Sequence, residues 1–127
     1  KFDFEGSYTG LFSNLVFNQS AQYVAAVNNN GKIIVSLSPE MFFEVKGRKI
    51  ISKPMKGTAR RGIDHLSDES IKYELERSEK NRAENVMIVD LIRNDLGRIS
   101  EYGSVKVKNI FDVEKYESVY QMVSTVE

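Results

Sequence analysis

Residues 82–98 read RAENVMIVDLIRNDLGR and carry the strongest structural signal of the chain. Their apolar centre, residues 86–89, has the composition of a buried strand, and periodicity alone does not separate that strand from a helix. The flanks favour a helix, because no turn residue interrupts the segment before Gly97, which is a natural helix stop. The segment therefore predicts the second part of a long helix or helix pair that ends near Gly97.

Two helix starts are predicted upstream of this segment. Residues 7–17 carry apolar side chains at helical spacing, and Ser7 is placed to act as the N-cap. Ser67 supplies a capping hydroxyl, and the carboxylates of Asp68 and Glu69 favour a helix N-terminus directly after it. The chain thus predicts one helix near its beginning and a longer helical region from Ser67 onward.

The remaining regular segments read as strands. Short turns separate two pairs of β-rich runs, which predict hairpins of residues 22–27 with 32–37 and of residues 42–46 with 49–52. Pro54 breaks the last run, and Gly57 and Gly62 are expected to bracket a loop. Apolar and polar residues alternate over 105–108 and 119–126, and each segment predicts one further strand.

The composition excludes several classes of protein. The chain has 127 residues, 18 Lys and Arg against 18 Asp and Glu, and no Cys. This length supports one domain at most, and zero net charge provides no long-range field toward nucleic acid or an anionic membrane. Without Cys there are no disulfides and no thiolate metal sites. No apolar run approaches the roughly 20 residues that span a bilayer and no signal segment opens the chain, so a cytoplasmic location is predicted.

The zero balance conceals a segregated pattern of charge. Residues 46–61 contain seven basic residues and no acidic one, and such a run is most often a solvated face. A sharper hypothesis is an anion site for a phosphate, a nucleic acid or a small polycarboxylate, since Lys and Arg supply positive charge. No standard phosphate-binding motif and no interleaved aromatic residues accompany the run. His65 is the sole histidine and is predicted to lie at the surface.

Three motifs carry more information than composition does. Residues 36–43 read SLSPEMFF and residues 53–62 read KPMKGTARRG, and residues 82–98 follow them. In this order and spacing they resemble the chorismate-binding enzymes, which include anthranilate, aminodeoxychorismate, isochorismate and salicylate synthases. The resemblance implies an α+β fold, a sandwich of antiparallel sheets covered by helices and about twice as long as this chain. The chain starts without Met and stops within a strand-like pattern. We therefore expect residues 1–127 to be a single incomplete domain, that is, an internal fragment of the longer family domain.

The resemblance also implies two catalytic residues. Aminodeoxychorismate synthases resemble this chain in having Lys at the position of Lys56, where anthranilate and isochorismate synthases have Ala. In those enzymes this Lys adds to the chorismate ring at C2. An amine is nucleophilic only when neutral, and the cations of Lys53, Arg60 and Arg61 would favour the neutral form if they lie close. Glu40 matches the active-site carboxylate, a proton donor to the departing hydroxyl or a base toward ammonia.

A metal site is implied at Glu84, which matches a Mg²⁺ ligand of the family. Mg²⁺ prefers carboxylate and water oxygens, and the ring carboxylate of chorismate could complete its shell. On a helix, Glu84 shares one face with Ile88, Leu91 and Asp95, so we expect it to extend the inward stripe. A carboxylate buried there needs a partner such as a metal.

Three residues are expected to bind the substrate. By the resemblance, Gly57 and Thr58 line the pocket with backbone amides and a hydroxyl. Gln121 occupies the position at which the family commonly has His, and a Gln can donate a hydrogen bond but cannot carry a proton. Tyr120 and Met122 are expected to face the other side of the strand and to lie in the core.

The function predicted from the resemblance is that of aminodeoxychorismate synthase component I. Such an enzyme converts chorismate and ammonia to 4-amino-4-deoxychorismate for para-aminobenzoate and folate synthesis, with Mg²⁺ and with ammonia from a glutamine amidotransferase subunit or domain. Anthranilate synthase component I and isochorismate synthase are alternatives in the same family. An anion- or nucleic-acid-binding module that uses residues 46–61 is an alternative of another class. We expect the fragment alone to be inactive.

Overall fold

The computed structural model describes residues 5–19 and 21–127, which form two compact units divided after Glu40. In the first unit, helix α1 (Tyr8–Asn18) precedes a hairpin of β1 (Tyr23–Asn29) and β2 (Lys32–Ser38). Asn30 and Gly31 close the hairpin with φ of 49° and 80°, the positive values that a tight two-residue turn requires. The predicted helix and hairpin are confirmed, whereas the single incomplete domain over residues 1–127 stays a prediction.

The cap of α1 differs in detail from the prediction. Ser7 occupies the N-cap position, but its hydroxyl does not bond to a backbone N–H of the helix. Its Oγ lies instead 2.5 Å from Oγ1 of Thr9. The start of α1 is therefore set without the capping hydrogen bond that the sequence suggests.

The second unit combines an antiparallel sheet with two helices. Its elements are β3 (Met41–Lys46), β4 (Lys49–Lys53), β5 (Met55–Arg60), α2 (His65–Arg77), α3 (Glu79–Gly97), β6 (Val107–Lys115) and β7 (Val119–Val126). The strands run in the order β3, β4, β7, β5, and β6 also pairs with β7, every pair being antiparallel. This arrangement confirms the predicted α+β class. It also confirms the second hairpin and the helical state of residues 86–89.

Strand β7 lies at the centre of the core. One cluster joins Tyr120 and Met122 to Leu75 of α2, and a second joins Val126 to Val89 and Leu96 of α3. Tyr120 and Met122 are 1% and 0% exposed, as predicted for that face of the strand. Both helices therefore pack on one face of the sheet and leave the alternate residues of β7 for the other face.

The loop predicted between Gly57 and Gly62 is wrong over most of its length, because Met55–Arg60 is strand β5. Pro54 does separate β4 from β5, but a strand begins directly after it, where the missing N–H of Pro is tolerated. Gly57 has a φ of 95° at an irregularity in the pairing of β5 with β7, between Met55 and Thr58. Such a bulge absorbs the glycine without ending the strand.

The start of α2 also needs a correction. The helix begins at His65, and its N-cap is Asp64 rather than Ser67. The backbone N–H of Ser67 donates to Oδ1 of Asp64 at 2.9 Å, and Ser67 Oγ accepts from the backbone N–H of Asp64 at 3.2 Å. This capping box lowers the pKa of Asp64 through the backbone hydrogen bond from Ser67. His65 is exposed, as predicted.

The inward stripe of α3 is not the predicted one. Asn85, Val89 and Leu96 are buried, whereas Glu84 is exposed and Leu91 is 52% exposed. The two sets differ by about one residue of helix rotation. A polar residue can lie in the core because Asn85 Nδ2 donates to the carbonyl of Met122 at 3.4 Å and its Oδ1 accepts from Ser124 Oγ at 2.6 Å.

Within residues 5–19 and 21–127, none of the helices has the length and apolar character needed to cross a membrane.

Candidate active site

Two predicted substrate-binding residues meet on the face of the sheet opposite to the helices. Thr58 of β5 lies directly across from Gln121 of β7, and Thr58 Oγ1 donates to Gln121 Oε1 at 2.8 Å. Because Tyr120 and Met122 point into the core, Gln121 points to the other face, where it is half-buried. With its oxygen engaged by Thr58, the amide of Gln121 keeps its two N–H donors for a ligand.

Lys56 lies at the bulge of β5, two residues before Thr58, and its side chain is exposed. The adjacent Gly57 has a positive φ, and a Cβ atom at this position would lie 3.0 Å from Cβ of Asn81 and 3.3 Å from Cβ of Met122. The glycine thus allows α3 and β7 to approach β5 closely from the helix side. The bulge in turn sets where Lys56 leaves the strand.

Replacing Gly57 with Ala is expected to destabilise the protein by roughly 2 kcal/mol, since the left-handed backbone alone costs about 1–2 kcal/mol and the contacts to Asn81 and Met122 add to it. Gly47→Ala is the matched control, because Gly47 has a φ of 61° but a methyl group added there would meet nothing within 4 Å. Urea unfolding of both variants measures the difference. Equal losses would show that the approach of α3 to Gly57 contributes nothing.

A third side chain of this face was missed by sequence reasoning. Glu114 of β6 pairs in register with Gln121, and its carboxylate accepts from Tyr116 OH at 2.9 Å and lies 3.6 Å from Nζ of Lys53. Alternation along β6 divides the residues between two faces but does not say which face meets Gln121. Only the pairing register places Glu114 in the same row as Gln121 and Thr58.

The predicted catalytic carboxylate, Glu40, belongs to the first unit. It is exposed, and its backbone N–H donates to Ser38 Oγ at 3.1 Å in a local turn after β2. The structure therefore brings together Thr58 and Gln121, with Lys56 beside them on β5. A catalytic role for Glu40 stays a prediction.

Glu84 is exposed on α3, which removes the argument that a buried carboxylate there needs a metal as partner. In the part of the chain that the structure describes, no three His, Asp or Glu side chains converge as a metal site would require. The described residues, Glu84 among them, therefore do not form a complete Mg²⁺ site by themselves. A role for Glu84 as one ligand stays a prediction.

A buried ionic network lies on the helix side of the same two strands. The Asp68 carboxylate of α2 accepts from Arg61 Nε at 2.7 Å and from Tyr120 OH at 2.8 Å, and Arg61 Nη2 also donates to it. The Arg61 hydrogen bond holds the pKa of Asp68 well below its usual range, and the same bond raises the pKa of Arg61. Burial is the main cause that raises the pKa of Tyr120, and the hydrogen bond to Asp68 raises this pKa further.

The basic run over residues 46–61 does not form one cationic surface. Four of its seven basic residues are paired with carboxylates, namely Lys46 with Glu44, Arg48 with Glu101, Lys53 with Glu114 and Arg61 with Asp68. Lys53 and Arg61 are two of the three cations that were expected to keep Lys56 neutral. Their pairing weakens that part of the electrostatic argument.

Comparisons with known proteins give the family. The model of the family described as chorismate binding enzyme matches residues 1–127. The Arabidopsis thaliana protein named aminodeoxychorismate synthase, chloroplastic, is 48% identical over 120 residues, which are 92% of this chain and 13% of that protein. The anthranilate synthase alpha subunit 1, chloroplastic, of the same plant is 41% identical over 104 residues, which are 82% of this chain and 18% of that protein.

A solved structure agrees with these sequence relatives. Anthranilate synthase component I from Streptococcus pneumoniae TIGR4 aligns with 97% of this chain and 26% of its own, with a TM-score of 0.80 and 30% identity. The chain therefore spans between 13 and 26% of the length of these three proteins. Because the family model matches residues 1–127, which are the whole of this chain, the chain belongs to the chorismate-binding enzyme family.

Proposed function

We propose that this chain is the lysine-bearing part of an aminodeoxychorismate synthase component I, which converts chorismate and ammonia to 4-amino-4-deoxychorismate for para-aminobenzoate and folate synthesis. The observation that carries the proposal is the exposed Lys56 on β5, next to the bonded pair of Thr58 and Gln121. Overall similarity does not decide the reaction, because relatives named for either synthase are 41 to 48% identical to this chain. Lys56 supplies the chemical distinction, since a lysine amine can form a covalent bond to the ring.

In the proposed reaction, the neutral amine of Lys56 adds to C2 of chorismate, the two conjugated ring double bonds shift toward C4, and the C4 hydroxyl leaves as water after taking up a proton. Ammonia then adds to C4, the two double bonds shift back, and the amine of Lys56 is expelled from C2. Gln121 and Thr58 would orient the substrate through the amide N–H groups and the hydroxyl, and Gly57 through its backbone. Glu40 would donate the proton to the departing hydroxyl and accept one from ammonia.

Mg²⁺ is part of the proposal as a cofactor of the whole protein, with Glu84 as one of its oxygen ligands. A bound Mg²⁺ neutralises carboxylate charge on a substrate. Because the described residues do not complete such a site, no step of the proposed reaction depends on it here. The proposal further includes ammonia supplied by a glutamine amidotransferase subunit or domain, and a cytoplasmic location.

Product identity tests the proposal most directly. The longest polypeptide that carries this sequence is incubated with chorismate, ammonia and Mg²⁺, and the product is identified by mass spectrometry. We expect 4-amino-4-deoxychorismate. Anthranilate or isochorismate as the product would overturn the proposal in favour of the other members of the family. Without any chorismate turnover, a nucleic-acid affinity that falls steeply with salt would favour the basic segment 46–61 as a binding site.

Glu84→Gln tests the proposed metal ligand. Removing one carboxylate from a Mg²⁺ shell should raise the Mg²⁺ concentration for half-maximal activity by roughly 10-fold or more. The control is Glu74→Gln, which removes an exposed carboxylate of α2 and should leave the Mg²⁺ requirement unchanged. The measurement is the initial rate as a function of Mg²⁺ concentration, and identical curves for both variants would exclude Glu84 as a ligand.

A further inference from the structure

We propose that Arg61, Asp68 and Tyr120 are positioning residues that set the register of β5 against β7 and so hold Thr58 and Gln121 in contact. This inference deepens the proposed function and rests on it for the identity of the substrate. None of the three side chains lies on the face where Thr58 and Gln121 meet. They lie on the helix side of the sheet and affect the Thr58–Gln121 contact through the backbone of β5 and β7.

Asp68 accepts hydrogen bonds from four donor groups, which belong to three residues in two parts of the fold. Its carboxylate accepts from Nε and Nη2 of Arg61 at 2.7 and 2.5 Å, from the backbone N–H of Gly62 at 2.9 Å and from the hydroxyl of Tyr120 at 2.8 Å. Arg61 and Gly62 directly follow β5, while Tyr120 lies within β7. One buried carboxylate on α2 therefore joins the end of β5 to the beginning of β7.

Arg61 extends the connection to the turn between β6 and β7. Its Nη1 donates to the carbonyl of Tyr116 at 2.9 Å, and its backbone N–H donates to the carbonyl of Ser118 at 3.2 Å. Its guanidinium also lies 4.9 Å from the centre of the Tyr120 ring. These contacts act at the same end of β5 and β7, three residues from Thr58 along one strand.

Gly62 permits this arrangement. A Cβ atom at Gly62 would lie 2.3 Å from the backbone N of Asp68, so no side chain fits between the end of β5 and the first turn of α2. The carboxylate of Asp68 can reach Arg61, Gly62 and Tyr120 together because the two backbones touch at this point.

Register matters because adjacent residues of a strand point to opposite faces. Tyr120 points toward the helices, so its neighbour Gln121 must point to the opposite face of the sheet, where it meets Thr58. A slip by one residue would turn Gln121 inward and Tyr120 outward. The contacts of Arg61, Asp68 and Tyr120 on the helix side therefore determine which side chains of β5 and β7 point to the opposite face.

Tyr120→Phe removes one hydrogen bond of the network and leaves Asp68 paired with Arg61. In the longest polypeptide that carries this sequence, we expect the KM for chorismate to rise about tenfold, since a small misplacement of binding groups is costly. The value of kcat should fall by less. A variant that is merely less stable has fewer folded molecules, which lowers the maximal rate and leaves KM unchanged.

Tyr73→Phe is the matched control. Tyr73 lies on the exposed side of α2, where Arg77 covers its ring at 4.2 Å in the same kind of contact as Arg61 makes with Tyr120. The control should keep the wild-type KM. An unchanged KM in Tyr120→Phe would overturn the inference, whatever the change in maximal rate.

A double variant tests whether the network acts through the bonded pair. If it does, Tyr120→Phe should raise KM much less in a Thr58→Val background than in the wild type, because the contact to be positioned is already gone. If the KM of the double variant instead rises by the product of the two single-variant increases, the network does not act through the Thr58–Gln121 contact.

Hydrogen exchange separates this inference from the proposed function. Exchange in the peptides that cover residues 55–60 and 119–126 should be faster in Tyr120→Phe than in Tyr73→Phe, whether or not chorismate is turned over. If the protein makes another product but this difference appears, the proposed function fails and the positioning role stands. Equal exchange in both variants would remove the positioning role itself.

Discussion

Lys56→Ala is expected to abolish formation of 4-amino-4-deoxychorismate, with a fall in kcat on the order of 10³-fold or more, as for removal of other covalent nucleophiles. The physical reason is that, in the proposed reaction, ammonia reaches C4 only after the Lys56 amine has added at C2 and the C4 hydroxyl has left. Lys56 is the exposed amine beside the Thr58–Gln121 pair, so its loss removes the proposed nucleophile while the strand pairing remains. Single-turnover assays with ammonia and product analysis by mass spectrometry measure the effect.

Two controls separate nucleophilic attack from simple attraction of the anionic substrate. Lys56→Arg keeps the positive charge but removes the reactive amine, so it should be as inactive as Lys56→Ala. Lys49→Ala removes an exposed lysine of β4 and should retain the wild-type rate. An active Lys56→Arg variant would mean that Lys56 binds the substrate as a point charge and forms no covalent bond.

Asp68→Asn is expected to have the largest effect on stability, with a melting temperature lower by roughly 10 °C, because breaking one side of a largely buried ion pair leaves the charge of Arg61 without its partner. The asparagine would also turn an N–H group toward donors that now point at the carboxylate, the N–H groups of Arg61 and Gly62 or the O–H group of Tyr120. Scanning calorimetry on the longest polypeptide that carries this sequence measures the loss.

Asp90→Asn is the control for this prediction. Asp90 accepts from Arg93 at 3.0 Å, but the pair lies on the surface of α3, with the two side chains 62% and 52% exposed. Surface pairs of this kind contribute little, so the melting temperature should hardly change. Similar losses in both variants would show that burial of the Asp68 network does not matter.

The same network predicts a dependence on pH. Since the pKa of Asp68 is lowered in the folded state, its contribution is complete above the unfolded-state pKa, about 3.9, and is lost as pH falls toward the folded-state value. The stability difference between the wild type and Asp68→Asn should therefore be constant from pH 7 to about pH 5 and shrink at lower pH. Urea unfolding at several pH values checks this trend, and a difference that grows on acidification would contradict it.

Much of the secondary structure could be predicted because its signals are local. The Asn-Gly turn, the alternation in β7 and the uninterrupted helical segment before Gly97 depend on residues close together in sequence. The three motifs also led to the family, since their order and spacing are properties of the sequence alone.

The errors arose where distant contacts decide between local alternatives. Gly57 reads as a loop residue, but pairing with β7 turns the segment into a strand with a bulge. Glu84 and Asn85 are both acceptable at the start of an inward stripe of α3, and the sheet selects Asn85 because Met122 and Ser124 satisfy its amide. Glu84 is left on the surface.

The sequence by itself determined the family, the order of the helices and strands other than β5, and the identity of Lys56 at the third position of its motif. Only the tertiary structure decided that Thr58 bonds to Gln121, 63 positions away, and that Glu114 shares their row. The physical reason is that strand register depends on contacts between distant segments. Here those contacts come from Asp68, which pairs with Arg61 and Tyr120 on the buried side of the sheet.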